Sequence, residues 1–227
     1  MCGMTRAEDV AVAAMLGARY VGCVFADGPR LQTATRAAML FAALDSDASP
    51  RRVGVFASPD AVDVGDVAAT VPLDIAQVHG DAAAPTIRAL RARLPSLEIW
   101  AVMRCRGGRL SADAAALWRA ADTLLLDAHV PGLLGGTGTT LPWQSLADDL
   151  WDLRQAMGPT ARLVLAGGLT PDNVGSAIAA LRPDVVDVSS GVERAPGVKD
   201  HDRMRAFADA VRTADDAIVS PPILRRP

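Results

Sequence analysis

The sequence predicts an α/β fold in which one closed parallel barrel alternates strand and helix, and three observations carry that prediction. Short apolar runs rich in Val, Leu and Ile recur along the chain, separated by alanine-rich segments with helical spacing. The length of 227 residues fits one such barrel near the short end of its range of about 200 residues upward. The last two apolar runs, Leu163-Val164-Leu165-Ala166 and Val185-Val186-Asp187-Val188, end in Gly167-Gly168 and Ser189-Ser190-Gly191. Small residues there leave backbone N–H groups bare, which is how a barrel seats a phosphate after its last two strands.

The elements follow in order. Thr5-Arg6-Ala7-Glu8 reads as a capping box opening a helix to about Leu16, with Gly17 as its stop. Residues 20–25 are a strand, 26–33 a loop carrying Gly28, Pro29 and Arg30, and 34–44 a helix. Strand 53–56 is followed by a helix start at Ser58-Pro59-Asp60, and strand 75–78 ends at His79-Gly80-Asp81. A helix over 85–94, a strand over 97–103, a helix over 111–120 and a strand over 123–126 ending at Asp127 continue the alternation. Residues 128–141, with Gly132, Gly135, Gly136 and Gly138, form a long connection before a helix near Trp143; these glycines serve as turn residues or as part of a closing lid that excludes water. Thr170-Pro171-Asp172-Asn173 starts the helix after strand 163–166, and the valines of 185–188 suit a strand buried on both faces. The final helix covers 201–211. Seven strands are clear, so an eight-stranded closure needs Met1-Cys2 as the first: a (β/α)8 TIM barrel with a very short first strand, filling residues 1–213, with 214–227 a flexible tail.

Composition narrows the function. A formal charge of −3 without a basic stripe argues against a nucleic-acid partner, while a small anionic ligand needs only a few oriented amides. Cys2, Cys23 and Cys105 are odd in number and widely spaced, which suits a reducing cytoplasm and neither a disulfide framework nor a Cys-x-x-Cys site. No apolar run approaches the roughly 20 residues of a membrane span, and the start shows no signal region. The three histidines lack metal-ligand spacing, so no metal is expected; His129 and His201 read as surface groups.

In a barrel the C-terminal ends of the strands converge on one mouth. Residues placed just after the apolar runs therefore become neighbours: Cys2, Arg30, His79, Asp127, Gly167, Gly168, Asp187, Ser190 and Gly191. The segments that carry them are Cys2-Gly3-Met4-Thr5 followed by Glu8-Asp9, Gln77-Val78-His79-Gly80, and Leu126-Asp127 with Gly135-Gly136-Thr137-Gly138. They continue with Ala166-Gly167-Gly168-Leu169 and Asp187-Val188-Ser189-Ser190-Gly191-Val192-Glu193. In this order, over nearly the whole chain, they resemble the phosphoribosylanthranilate isomerases.

The resemblance implies a cofactor-free Amadori rearrangement of N-(5-phosphoribosyl)anthranilate to 1-(2-carboxyphenylamino)-1-deoxyribulose 5-phosphate in tryptophan biosynthesis, by a monomer or homodimer. The family's general base aligns with Cys2 and its general acid with Asp127. The chemistry asks for such a pair, because ring opening needs a proton on the ribose oxygen and enolamine formation needs one removed from the adjacent carbon. A raised Asp127 pKa and a lowered Cys2 pKa are expected. The phosphate falls to the amides of Gly167, Gly168, Ser190 and Gly191, and the anthranilate carboxylate to Arg30, whose guanidinium makes a planar two-pronged contact. His79 and Asp187 are the remaining substrate-binding candidates.

Plainer readings stand beside these. Cys2 alone reads as a small buried hydrophobe, Asp127 as a helix cap or loop acceptor, and His79 as a structural hydrogen-bonder. Asp187 either orients the substrate amine or holds the mouth together, and Lys199-Asp200 resembles the family's pattern there and reads equally well as an exposed ion pair. At the level of function the alternatives are a dual-substrate isomerase that also takes the histidine-pathway aminoimidazole ribotide, and a non-catalytic phosphosugar-binding barrel. Two aspartates are typical of the dual-substrate type, and Cys2 stands where the first of them would be.

Overall fold

The computed structural model describes residues 1–44, 50–58, 60–80, 82–105, 109–127 and 143–219. Strands β1 (Tyr20–Val24), β2 (Arg51–Phe56), β3 (Ile75–Val78), β4 (Glu98–Arg104), β5 (Thr123–Asp127), β6 (Arg162–Ala166) and β7 (Val185–Val186) form one parallel sheet in sequence order. Helix α1 (Ala7–Met15) precedes β1, and α2 (Ala34–Phe41), α3 (Ala61–Thr70), α4 (Ala84–Arg93), α5 (Ala114–Ala120), α6 (Trp143–Met157) and α7 (Val174–Leu181) connect successive strands. After β7 come a small antiparallel hairpin, β8 (Glu193–Ala195) and β9 (Val198–Lys199), and the last helix, α8 (His201–Val219).

Strand alternation sorts the side chains into two cores. Tyr20, Val53, Val55, Ile75, Trp100, Val102, Leu125, Val164 and Ala166 pack inside the sheet's curl, where Tyr20 and Trp100 meet edge to face at 5.0 Å. Their neighbours Val21, Phe56, Val78, Ile99, Leu124, Leu126, Leu163 and Leu165 face outward and pack with the helices in a larger cluster. The uninterrupted apolar runs of the sequence follow from this: a strand covered on both sides has no face to leave polar.

Residues 1–4 close the curl. The Met1 nitrogen donates to the Tyr20 carbonyl at 2.9 Å, Gly22 N donates to the Met1 carbonyl at 3.0 Å, and on the other side Cys2 N donates to the Val188 carbonyl at 2.9 Å. Met1 and Cys2 thus occupy the eighth strand position between β7 and β1, and Gly3, at φ +74°, turns the chain out of the ladder. The very short first strand of the (β/α)8 plan is the result.

Four local expectations differ from what is observed. The capping box at α1 is not made, because Thr5 Oγ1 donates instead to the Gly197 carbonyl and Glu8 pairs with Arg6. Strand β7 is only two residues long and half-buried on both, since the two-residue segment beside it covers little of its free edge. Helix α8 continues to Val219, with Val211, Ala214 and Ile218 packed against the core, so 214–219 is helix rather than tail. His201, read as a surface group, sits 2.9 Å from the buried Asp9 carboxylate. The long connection at 128–141, His129 and the tail from 220 onward lie outside the described residues. Among the described residues, no helix is long and apolar enough to cross a membrane.

At the N-terminal end of the strands, carboxylates tie neighbours together. Asp74, Asp122 and Asp184, each just before a strand, accept from the backbone N–H of Arg52, Ile99 and Leu163 on the preceding strand at 2.7–2.8 Å. Glu98 accepts from Trp100 Nε1 (2.6 Å), Arg51 Nη1 (2.5 Å) and Thr123 Oγ1 (3.0 Å). Burial pushes its pKa up, but these donors outweigh burial and hold it below the usual glutamate range. A depressed carboxylate stabilises the fold at pH values above its unfolded pKa, and that contribution is lost as pH falls through the folded value. Glu98→Gln is therefore expected to cost about 1–3 kcal/mol at pH 7, with the difference from the parent chain shrinking below about pH 4; denaturant titrations at both pH values measure it.

Candidate active site

The C-terminal ends of the strands surround a cavity of about 390 Å³. Its walls include Cys2 from the closing segment, Arg30 from the loop after β1, His79 after β3, Asp127 at the end of β5, Gly167 and Gly168 after β6, and Asp187, Ser190 and Gly191 after β7. All nine residues singled out in the sequence therefore line one cavity. A second cavity, of about 310 Å³, lies between α8, β7 and β1; Cys2 and Asp187 line it as well, but none of the loop glycines after β6 and β7 does.

Each residue is delivered by strand parity. Asp127 is two residues beyond Leu125 and Asp187 two beyond Val185, both of which pack inside the barrel, so their carboxylates point inward as well. Cys2 packs against the inner cluster, and Gly22 opposite it leaves the room: a Cβ on Gly22 would come within 3.1 Å of Cys2 Sγ. His79 Nε2 lies 3.5 Å from Asp127 Oδ2.

The phosphate-seat loops are built by close backbone approach. Gly167 and Gly168 both adopt positive φ, at +92° and +66°. Asn173 closes the turn after them, its Nδ2 donating to the Gly168 carbonyl at 3.0 Å while its Oδ1 accepts from Thr170 N at 2.8 Å. On the facing loop, residues 190–192 form one turn of 3-10 helix. A Cβ on Gly191 would lie 1.9 Å from the Leu169 carbonyl oxygen, so the two loops can touch only because that side chain is missing.

The electrostatics around Cys2 reverse one expectation. Its thiol is pushed up to about 12, chiefly by burial and next by the Asp187 carboxylate, which together outweigh the N-terminal amine, Lys199 and the Gly3 N–H. A low dielectric and a like charge both disfavour a thiolate, so the thiol is not lowered as the sequence reading expects. Mass-spectrometric alkylation kinetics at Cys2 are expected to rise about tenfold per pH unit up to pH 10 without levelling, and Asp187→Asn to speed them at pH 8; a plateau below pH 9 would contradict this.

Several lining or bracing residues escaped the sequence reading. Gln77 is buried on β3, sharing the inward face of Ile75, and lines both cavities; a polar residue on the inward parity of an apolar strand was the available signal. Lys199, read as half of an exposed pair with Asp200, is instead fully buried against Glu193 at 2.9 Å, and Asp200 caps α8 by accepting from Asp202 N and Arg203 N. No local pattern reveals that pairing, because it depends on the hairpin turning Glu193 back onto Lys199.

Comparison with known proteins places the chain in a family. The family model described as N-(5′-phosphoribosyl)anthranilate (PRA) isomerase matches residues 1–210. The N-(5′-phosphoribosyl)anthranilate isomerase of Pseudomonas aeruginosa is 40% identical over 214 residues, 94% of each chain. The crystal structure of phosphoribosyl anthranilate isomerase from Thermotoga maritima superposes with a TM-score of 0.75 at 32% identity, covering 94% of this chain and 97% of that one. A further phosphoribosyl anthranilate isomerase, solved in complex with reduced 1-(o-carboxyphenylamino)-1-deoxyribulose 5-phosphate, superposes at 0.72 with 30% identity over 93% of this chain and 96% of its own. With the fold, the order of the motifs and near-complete coverage all in agreement, this chain belongs to the N-(5′-phosphoribosyl)anthranilate isomerase family.

Proposed function

We propose that the cavity at the strand C-termini converts N-(5′-phosphoribosyl)anthranilate to 1-(2-carboxyphenylamino)-1-deoxyribulose 5-phosphate, with Asp127 as general acid and Cys2 as general base. The observation that carries the reading is the meeting of an inward carboxyl group, an inward thiol and two amide-rich loops in one cavity. The amides of Gly167, Gly168, Ser190 and Gly191 hold the phosphate, and the Arg30 guanidinium meets the anthranilate carboxylate.

The order of steps follows from charge. Asp127, as the general acid, delivers a proton to the ribose ring oxygen; the C1′–O bond breaks and the nitrogen lone pair forms a cationic iminium. The resting thiol is neutral at pH 7, its pKa lying near 12. A cation formed within about 4–6 Å favours the thiolate, so ring opening itself readies Cys2. Asp187, whose charge disfavours the thiolate in the resting site, is the nearby carboxylate that takes up the thiol proton. Cys2 then removes the C2′ proton and the electron pair returns to nitrogen, giving the enolamine. Tautomerisation to the ketone follows; Cys2 ends as the thiol it began, and return of the proton held by Asp187 makes good the one lost from Asp127, so the protons balance over the cycle.

A fluorescence assay for loss of the anthranilate substrate, together with rescue of a tryptophan auxotroph lacking this isomerase, tests the reading. Binding of the reduced product without turnover would favour the non-catalytic alternative, and comparable turnover of the aminoimidazole ribotide would favour the dual-substrate one. The three cysteines are free. That fits the reducing cytoplasm we assign, and the chain acts there as a monomer or homodimer.

A further inference from the structure

Arg30 is gripped from the side. Its Nε donates to Glu193 Oε1 at 2.8 Å and its Nη2 to Glu193 Oε2 at 2.5 Å. Glu193 is itself fixed from behind: Lys199 Nζ donates to the same Oε1 at 2.9 Å and to the Ser189 carbonyl at 3.0 Å, and the Lys199 side chain is 0% exposed. A guanidinium carries five N–H groups in one plane, and the pair with Glu193 uses only its Nε–Nη2 edge. The Nη1–Nη2 edge remains, and Nη1 makes no hydrogen bond among the described residues. Gly3 allows the arrangement, since a Cβ there would lie 2.5 Å from Arg30 Cδ and 2.8 Å from Ser189 Oγ.

We propose that Glu193 is a positioning residue for recognition of the substrate's aryl carboxylate: braced by the buried Lys199, it holds Arg30 edge-on so that the unused edge of the guanidinium faces the cavity. The proposal rests on Arg30 being the group that meets that carboxylate. One carboxylate between two cations leaves an excess positive charge, and it is presented at the mouth rather than cancelled. Because Lys199 also holds the Ser189 carbonyl, the same brace ties Arg30 to the loop carrying Ser190 and Gly191, which sets the distance between the substrate's two anionic ends.

The test compares two ligands by calorimetry on the full chain: reduced 1-(o-carboxyphenylamino)-1-deoxyribulose 5-phosphate and its counterpart with a plain phenyl ring. The unaltered chain is expected to prefer the carboxylate ligand by about 100-fold. Glu193→Gln is expected to cut that preference about tenfold or more while leaving the phenyl ligand's affinity nearly unchanged. Glu193→Asp keeps a negative charge beside the buried Lys199, so it preserves folding, but it is one methylene too short to grip Arg30; it should lose the preference to a similar extent. An unchanged preference in both variants of a discriminating enzyme overturns the proposal, as does an equal loss of both ligands in Glu193→Asp. If the unaltered chain shows no preference at all, the reading of Arg30 fails, and the proposal with it.

Discussion

Asp127→Asn is expected to lower kcat by about 10²–10⁴-fold while leaving affinity for the reduced product within a few-fold. Asparagine matches the shape of the carboxyl group and still reaches into the mouth, but it has no proton to give to the ribose oxygen. Because the acid step creates the cation that favours the Cys2 thiolate, loss of the acid also disables the base. Cys2→Ser should therefore fall in the same range, and the double variant should be little worse than either single one, since residues acting as a unit are not additive. Single-turnover assays separate chemistry from release. A double variant that loses the product of the two single effects would show that the steps are independent, and a Cys2→Ser chain with near-normal kcat would remove the thiol from the mechanism.

Gly191→Ala is expected to weaken phosphosugar binding by about 10–100-fold and to cost about 1–3 kcal/mol of stability. The added methyl would sit 1.9 Å from the Leu169 carbonyl oxygen and 2.9 Å from its carbon. Both are backbone atoms, so no rotamer change relieves the clash, and the loop carrying Ser190 must move away from the one carrying Gly168. Amides that converge on one anion then diverge. Inorganic phosphate as the titrant isolates this effect from the aromatic end of the substrate, and undiminished phosphate affinity in a folded variant would place the phosphate elsewhere. Gly168→Ala is a useful contrast: a Cβ there meets nothing within 4 Å, but φ is +66°, so its penalty is conformational rather than steric.

Much of the architecture was legible before any coordinates. Apolar period and turn residues are local signals: Asp60 caps α3 at Val62 N, Gly17 stops the first helix with φ +81°, and the strands lie within a few residues of their expected limits. Motif order brought Cys2, Asp127 and the two glycine-bearing loops to one mouth, because a parallel barrel sends every strand end the same way. The misreadings share a cause. Thr5 was available for a capping box until a carbonyl 192 residues away claimed its hydroxyl, and Lys199 looked solvated until the hairpin folded Glu193 onto it.

Chain order alone was enough for the barrel and the roster of groups at its mouth, since these depend on patterns spanning a few neighbouring residues, and the short opening strand followed from counting seven strands where closure needs eight. The charge state of the Cys2 thiol, the grip of Glu193 on Arg30 and the contact of Gly191 with Leu169 were settled only in three dimensions. Burial and electrostatic energy depend on which atoms surround a group, and those atoms come from strands and loops far apart in the chain.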